Sequence, residues 1–261
     1  MQKLILIAAA ALLATQASAG VRIETITRNI ETKVADGGPQ VVMVQDGWIR
    51  TTNAKHSNGI ILKDSKVFVL DDQRKTYMEM DKATMKKTAD QAGAAMKQLQ
   101  DKMKNMPPEQ RAQMEKMLGA NMPGMMSGKT PKFEVKDTGK SDTSEGRKCR
   151  LWHLLKDGVV NEELCVVPFS SMPGKEDFQK TFRELAESFE GMTSGLPGAG
   201  DSITARNSID GYPVRIRPFN EAGKPRGAES VVTKWVEESL PGSTFEIPAG
   251  YTKKEMPALS R

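Results

Sequence analysis

Cysteine, histidine and aromatic residues are all scarce in this chain: two Cys and two His among 261 residues, with aromatics at 5%. His56 and His153 lie far apart, so they form no metal or catalytic constellation by themselves, and neither a His-Glu-x-x-His helix nor a Gly-x-Ser-x-Gly elbow occurs. Gly124 to Thr130 resembles a phosphate loop but has one residue too few between its glycines. The chain therefore reads as a non-enzyme that needs no cofactor. The net charge is only +5, and acids accompany bases nearly everywhere. A nucleic-acid binder would instead gather its basic residues in a stripe with interleaved aromatics. The Lys-rich stretch from Lys129 to Arg150 reads as a solvated face before it reads as a membrane-attracting patch.

Long apolar runs are also missing, since crossing a bilayer core takes about 20 helical residues and no stretch approaches that. What is present at the start is Met1-Gln2-Lys3, the apolar run Leu4 to Leu13, and Ala17-Ser18-Ala19. A positive start, a short apolar segment and a small-x-small site predict a signal peptide over 1–19. No Cys follows the expected cleavage point to carry a lipid. The expectation is a free periplasmic or secreted protein, not membrane-spanning, with residues 20–261 forming a single domain.

The two cysteines, Cys149 and Cys165, are then expected to form a disulfide. Cys149 to Leu155 and Val159 to Val166 read as strands joined by a three-residue loop, Lys156-Asp157-Gly158. That register sets Cys149 directly opposite Cys165 and His153 opposite Asn161. Closing the loop stabilises by about 3 kcal/mol in the chain-entropy account. No Cys-x-x-Cys points to redox chemistry.

Elsewhere, alternating apolar and polar residues predict strands at Val21 to Ile26, Gln40 to Thr51, Gly59 to Leu62, Lys66 to Leu70 and Lys75 to Met80. After Asp81 the period changes: Met85, Ala89, Ala92, Met96, Leu99, Met103 and Met106 follow helical spacing up to Pro107-Pro108. Glu109 to Leu118 suggests a shorter second helix, which gives a long Met-rich helical insertion over 82–128. Phe178, Phe182, Leu185 and Phe189 share one face of another helix, and further strands follow Pro213, Ser230 and Thr244. The order predicts an α+β fold: a curved antiparallel sheet with helices packed on one face.

Four phrases carry a family resemblance: Lys75-Thr76-Tyr77-Met78-Glu79-Met80-Asp81, Gly146-x-x-Cys149, Gly211-Tyr212-Pro213-Val214 and Phe245-Glu246-Ile247-Pro248-Ala249-Gly250-Tyr251. Together they resemble an exported bacterial domain-of-unknown-function family that looks related to the outer-membrane lipoprotein carrier (LolA-like) superfamily. The resemblance implies an incomplete antiparallel barrel wrapped around helices, with an apolar concavity that in the carriers holds acyl chains.

The apolar strand positions fit that implication. Trp152 and Leu154 lie on the hairpin face opposite the disulfide, with Val160, Leu164 and Val166. Trp48, Phe68, Leu70, Val214, Ile216 and Trp235 are expected to line the same concavity, with the helix of Phe178 and Phe182 as its plug or lid. The functional expectation is binding of a lipid or other apolar ligand. An alternative rests on methionine, 16 in all, with Met-x-x-Met spacing at Met103/Met106, Met114/Met117 and Met122/Met125. Thioethers select Cu(I), and Met122, Met125 and Met126 are the methionines that helical packing leaves over. A further alternative is an envelope protein-interaction module whose helical insertion docks a partner.

Overall fold

The computed structural model describes residues 19–53, 58–110, 131–175, 178–182 and 201–255. His56, Leu185, Phe189, the Gly124 to Thr130 loop, the second expected helix beyond 110, Met122, Met125, Met126 and residues 1–18 lie outside that set.

Among the described residues, twelve strands make one sheet, in the order β12-β6-β5-β4-β3-β2-β1-β11-β10-β9-β8-β7. They are β1 (Gly20–Asn29), β2 (Gln40–Gln45), β3 (Trp48–Asn53), β4 (Asn58–Lys63), β5 (Lys66–Asp71), β6 (Thr76–Met80), β7 (Phe133–Ser144), β8 (Arg147–Lys156), β9 (Val159–Val167), β10 (Tyr212–Pro218), β11 (Ala228–Glu238) and β12 (Thr252–Lys253). Tight turns at positive φ join the hairpins. Asp46-Gly47, Glu145-Gly146 and Asp157-Gly158 each place both residues in the left-handed region, which matches the twist of the flanking strands. The expected single strand Gln40 to Thr51 is thus two strands folded at Asp46-Gly47.

The fold class expected from sequence is overturned. The sheet is mixed, because β12 runs parallel to β6, and it is not closed, because β12 and β7 are unpaired edges at opposite ends. Helix is a minor component among the described residues, so the picture of an incomplete antiparallel barrel wrapped around helices does not hold. Nor do the described residues of 82–128 form a long Met-rich helical insertion. Among the described residues α1 (Lys82–Lys104) forms; Asp81 caps it by accepting the Thr84 N–H at 2.7 Å, and Asn105 ends it ahead of Pro107.

A row of buried residues, Val21, Val44, Ile49, Leu62 and Val67, with the half-buried Met80 at its end, crosses from β1 to β6 in register and anchors the main core. Its neighbours on each strand point the other way: Val41 and Met43 pack with Trp48, Leu240 and Phe245 on the opposite face. There the C-terminal segment is strapped down, with Arg50 Nη1 donating to the Thr244 and Glu246 carbonyls and Lys254 N donating to the Tyr77 carbonyl.

In the other half of the sheet, the charges Arg28, Glu229, Arg217 and Glu163 alternate in sign across β1, β11, β10 and β9. The turn between β7 and β8 folds back over these strands. Asp142 accepts from Arg215 at 2.8 Å, Glu145 from Arg28 at 2.8 Å, and Arg147 Nη1 reaches the Val232 carbonyl at 3.1 Å. Cys149 and Cys165 form a disulfide at the root of this fold-back, with Cα atoms 5.3 Å apart.

The β8–β9 register differs from the expected one. The loop has two residues, Lys156 pairs with Val159, and Asn161 is the extra residue of a bulge, so Cys165 stands opposite Leu151 and His153 opposite Glu163. The bulge has a visible cause: Phe219 N at the end of β10 donates to the Asn161 carbonyl at 2.8 Å. The net slip beyond the bulge is two residues, and two is the side-chain period of a strand. Trp152, Leu164 and Val166 therefore still share a cluster apart from the cysteines.

Candidate functional site

A cavity of about 520 Å³ opens where β10 and β11 meet the helical segment 178–182 and the short helix α2 (Asp201–Asn207). Its apolar wall comes from Val42, Phe169, Phe182, Tyr212, Val214, Ile216 and Val232. Thr25, Gln40, Gln179, Arg206, Asp210 and Ser230 supply polar groups.

Each wall residue has a local reason for its place. Phe178 and Phe182 are one helical turn apart, so their rings lie on one face and stack at 4.3 Å between centroids. Tyr212 meets both rings edge-on, at 5.4 and 5.7 Å, and meets Trp235 edge-on at 5.3 Å. Gly211 lets β10 start this close to β9: a Cβ there would lie 2.5 Å from Val166 Cγ1 and 2.5 Å from the Val167 carbonyl oxygen. Ile209 packs with Leu164 and Val166 and ties the end of α2 to the sheet. Arg206 is held from α2 by Glu162 on β9, both carboxylate oxygens lying 2.7 Å from Nη2.

The electrostatics of this site are quiet. Burial pushes the Tyr212 hydroxyl up to about 12, so it stays a neutral donor at any physiological pH. No group of three or more His, Cys, Asp or Glu residues able to hold a metal ion occurs among the described residues. His153 sits against the Phe219 ring at 6.3 Å, away from the cavity.

The residues singled out from sequence do not form one concavity. Phe182, Val214 and Ile216 line the cavity, and Phe178 and Trp235 back it through ring contacts. Trp152 packs next door with Ile216, Leu164 and Ile209, and Leu154 is fully buried opposite Glu162. Trp48, Phe68 and Leu70 are elsewhere. Their register puts them with Met43 and Val41, across the sheet from Val42 and Val44. There Trp48 meets Phe245 at 5.8 Å beneath Lys63, and Phe68 meets Tyr77 at 6.3 Å. Sequence reasoning missed Phe169, Arg206 and Tyr212 as cavity residues; only Tyr212 carried a signal, in the phrase Gly211-Tyr212-Pro213-Val214.

A family model described as a domain of unknown function (DUF4412) matches residues 92–251. No curated protein matches the chain. Among solved structures, an uncharacterized conserved protein from Thermus thermophilus is similar at 8% identity with a TM-score of 0.42, over 92% of this chain and 91% of that one. The structure of PNGF-II is similar at 8% identity with a TM-score of 0.29, over 91% of this chain and 32% of that one.

Proposed function

The chain belongs to this family of domains of unknown function, and we propose that it is an exported, non-enzymatic binding protein whose cavity takes a lipid or other apolar ligand. The observation that carries this reading is the cavity itself, about 520 Å³ and walled by Phe182, Tyr212, Val214, Ile216 and Val232. Small-molecule sites have this form: volumes of about 300–1,000 Å³, mostly apolar, with a few placed polar groups. Export is supported by the disulfide, which persists in oxidising compartments, and by the apolar leader expected over 1–19. No helix among the described residues is long and apolar enough to cross a membrane. A relation to the lipoprotein carriers, suggested by the four short phrases, belongs to the same proposal and points to acyl chains.

The test is a titration with the apolar dye N-phenyl-1-naphthylamine, followed by displacement with 1-monopalmitoylglycerol. The wild-type chain should bind the dye saturably and release it to the lipid. Ile216→Trp, which fills the cavity, should weaken binding about tenfold or more, and Phe68→Leu, on the other face, should leave it unchanged. Absence of saturable binding, or equal binding by Ile216→Trp, would overturn the proposal.

A further inference from the structure

The cavity continues beyond its apolar wall. A second pocket of about 250 Å³ abuts it, and Thr25, Gln40 and Ser230 line both. Thr27, Asp36 and Asn53 help to close the smaller one. Strand register gathers these polar groups. Side chains two apart on a strand share a face, and on this face β1 runs Val21, Ile23, Thr25, Thr27, while β2 runs Val44, Val42, Gln40 and β3 runs Ile49, Thr51, Asn53. Asn53 stands opposite Gln40, and Gln40 opposite Thr25, so the polar ends of three strands lie side by side. Ser230 of β11 pairs with Thr27 on one side and with Ile216 on the other, which sets it at the junction of the two pockets.

The walls of the smaller pocket suit an uncharged group. Hydroxyl and amide side chains both donate and accept hydrogen bonds, as a ligand hydroxyl does. Among the described residues no Lys, Arg or His lines this pocket, and Asp36 is the charged residue that does. Asp36 is held beside β1, its backbone N–H donating to the Thr27 carbonyl at 2.8 Å. The cations nearest in sequence, Arg28 and Lys33, are engaged by Glu229, and Arg206 on the larger cavity is engaged by Glu162. A phosphate or carboxylate would therefore lose hydration without gaining a counter-ion and would meet the like charge of Asp36.

Resting on the proposed binding function, we infer that the two pockets form one amphiphile site, in which the larger cavity takes the alkyl chain and the smaller pocket takes an uncharged, hydroxyl-bearing head. The change from apolar to polar along β1, β2 and β3 sets the depth at which chain gives way to head.

The experiment titrates the full chain at pH 7 with three amphiphiles that share one tail, n-decyl β-D-glucopyranoside, decyl phosphate and decyltrimethylammonium, each below its aggregation concentration. N-phenyl-1-naphthylamine, which has no hydroxylated head, reports on the larger cavity alone. The forms measured are wild type, Thr27→Val and Ser230→Ala, each variant removing one hydroxyl. The glucoside should bind about tenfold tighter than either charged amphiphile. Each variant should weaken the glucoside about fivefold, the worth of one net hydrogen bond, and leave dye binding unchanged. Methyl β-D-glucopyranoside, the head without the chain, should bind at least about a hundredfold more weakly, because the chain supplies most of the binding. Equal or tighter binding of a charged amphiphile, or of the methyl glucoside, overturns the inference and leaves the binding function standing. A preference undiminished in both variants overturns the smaller pocket as the place of the head, and saturable binding of none of the amphiphiles and of no dye overturns the binding function itself.

Discussion

Glu229 Oε2 accepts from Nη2 and Nε of Arg217, at 2.8 and 3.0 Å, and does so as a carboxylate with no exposed surface. Its other oxygen accepts from Arg28 Nε at 2.9 Å and Lys33 Nζ at 3.0 Å. Burial alone would raise this carboxyl. The hydrogen bonds from Arg217, Lys33 and Arg28 outweigh burial and hold it at about 2, against an ordinary 4.5. A folded value below the unfolded one contributes stability that is fully present above about pH 4.5 and is lost as pH falls toward about 2. A lowering of that size corresponds to about 3 kcal/mol. Glu229→Gln should therefore cost about 3 kcal/mol or more at pH 7, where it also removes the carboxylate that Arg28, Lys33 and Arg217 share. Urea unfolding at pH 7, 4 and 2.5 checks this: the gap between wild type and variant should narrow on acidification, and a constant gap would contradict the assignment.

The disulfide fixes the place where the β7–β8 turn folds back onto β11 and β1. It spans a sequence separation of 16, for which the chain-entropy account gives about 3 kcal/mol. Changing Cys149 and Cys165 together to Ala should lower unfolding stability by about that amount. Hydrogen exchange gives the local readout. Amides around 142–149 should lose protection first, because the contacts Asp142 to Arg215 and Glu145 to Arg28 depend on that pinning. Loss spread evenly over all strands would show that the bridge acts only on the unfolded chain.

Gly211 is a packing requirement. An added methyl carbon would lie 2.5 Å from both Val166 Cγ1 and the Val167 carbonyl oxygen, so Gly211→Ala must push β10 away from β9. Overpacking of this kind costs about 1–3 kcal/mol. The shift also moves Tyr212, so the thermal midpoint should fall and dye binding should weaken in the same variant. An unchanged midpoint would mean that the strand ends tolerate the extra carbon.

Much of the strand order was legible because alternation of apolar and polar residues survives in single strands such as Lys66 to Asp71, and the Asp81 cap and the spacing after it marked α1. The disulfide was legible from a pair of cysteines flanking a hairpin. Its register was not, because the Asn161 bulge is set by Phe219, 58 positions along the chain, and nothing local announces it. The candidate site was only half legible. Period two says which residues of Trp48 to Asn53 share a face, but it does not say that Trp48, Phe68 and Leu70 lie across the sheet from Val42 and Val44. Arg206 escaped notice because α2 has seven residues and buries none of them, so no apolar stripe advertises the helix. The expectation of a purely antiparallel sheet failed for a similar reason: the parallel pairing of β12 with β6 is a contact between distant parts of the chain that no local alternation announces.

The most direct test of an occupied apolar cavity is native mass spectrometry of the full chain produced with export to the periplasm, followed by solvent extraction and lipid analysis. The account predicts an acyl species bound one to one and lost from Ile216→Trp. Recovery of the bare chain alone, from a preparation that also fails to take up 1-monopalmitoylglycerol when it is added back, would contradict it.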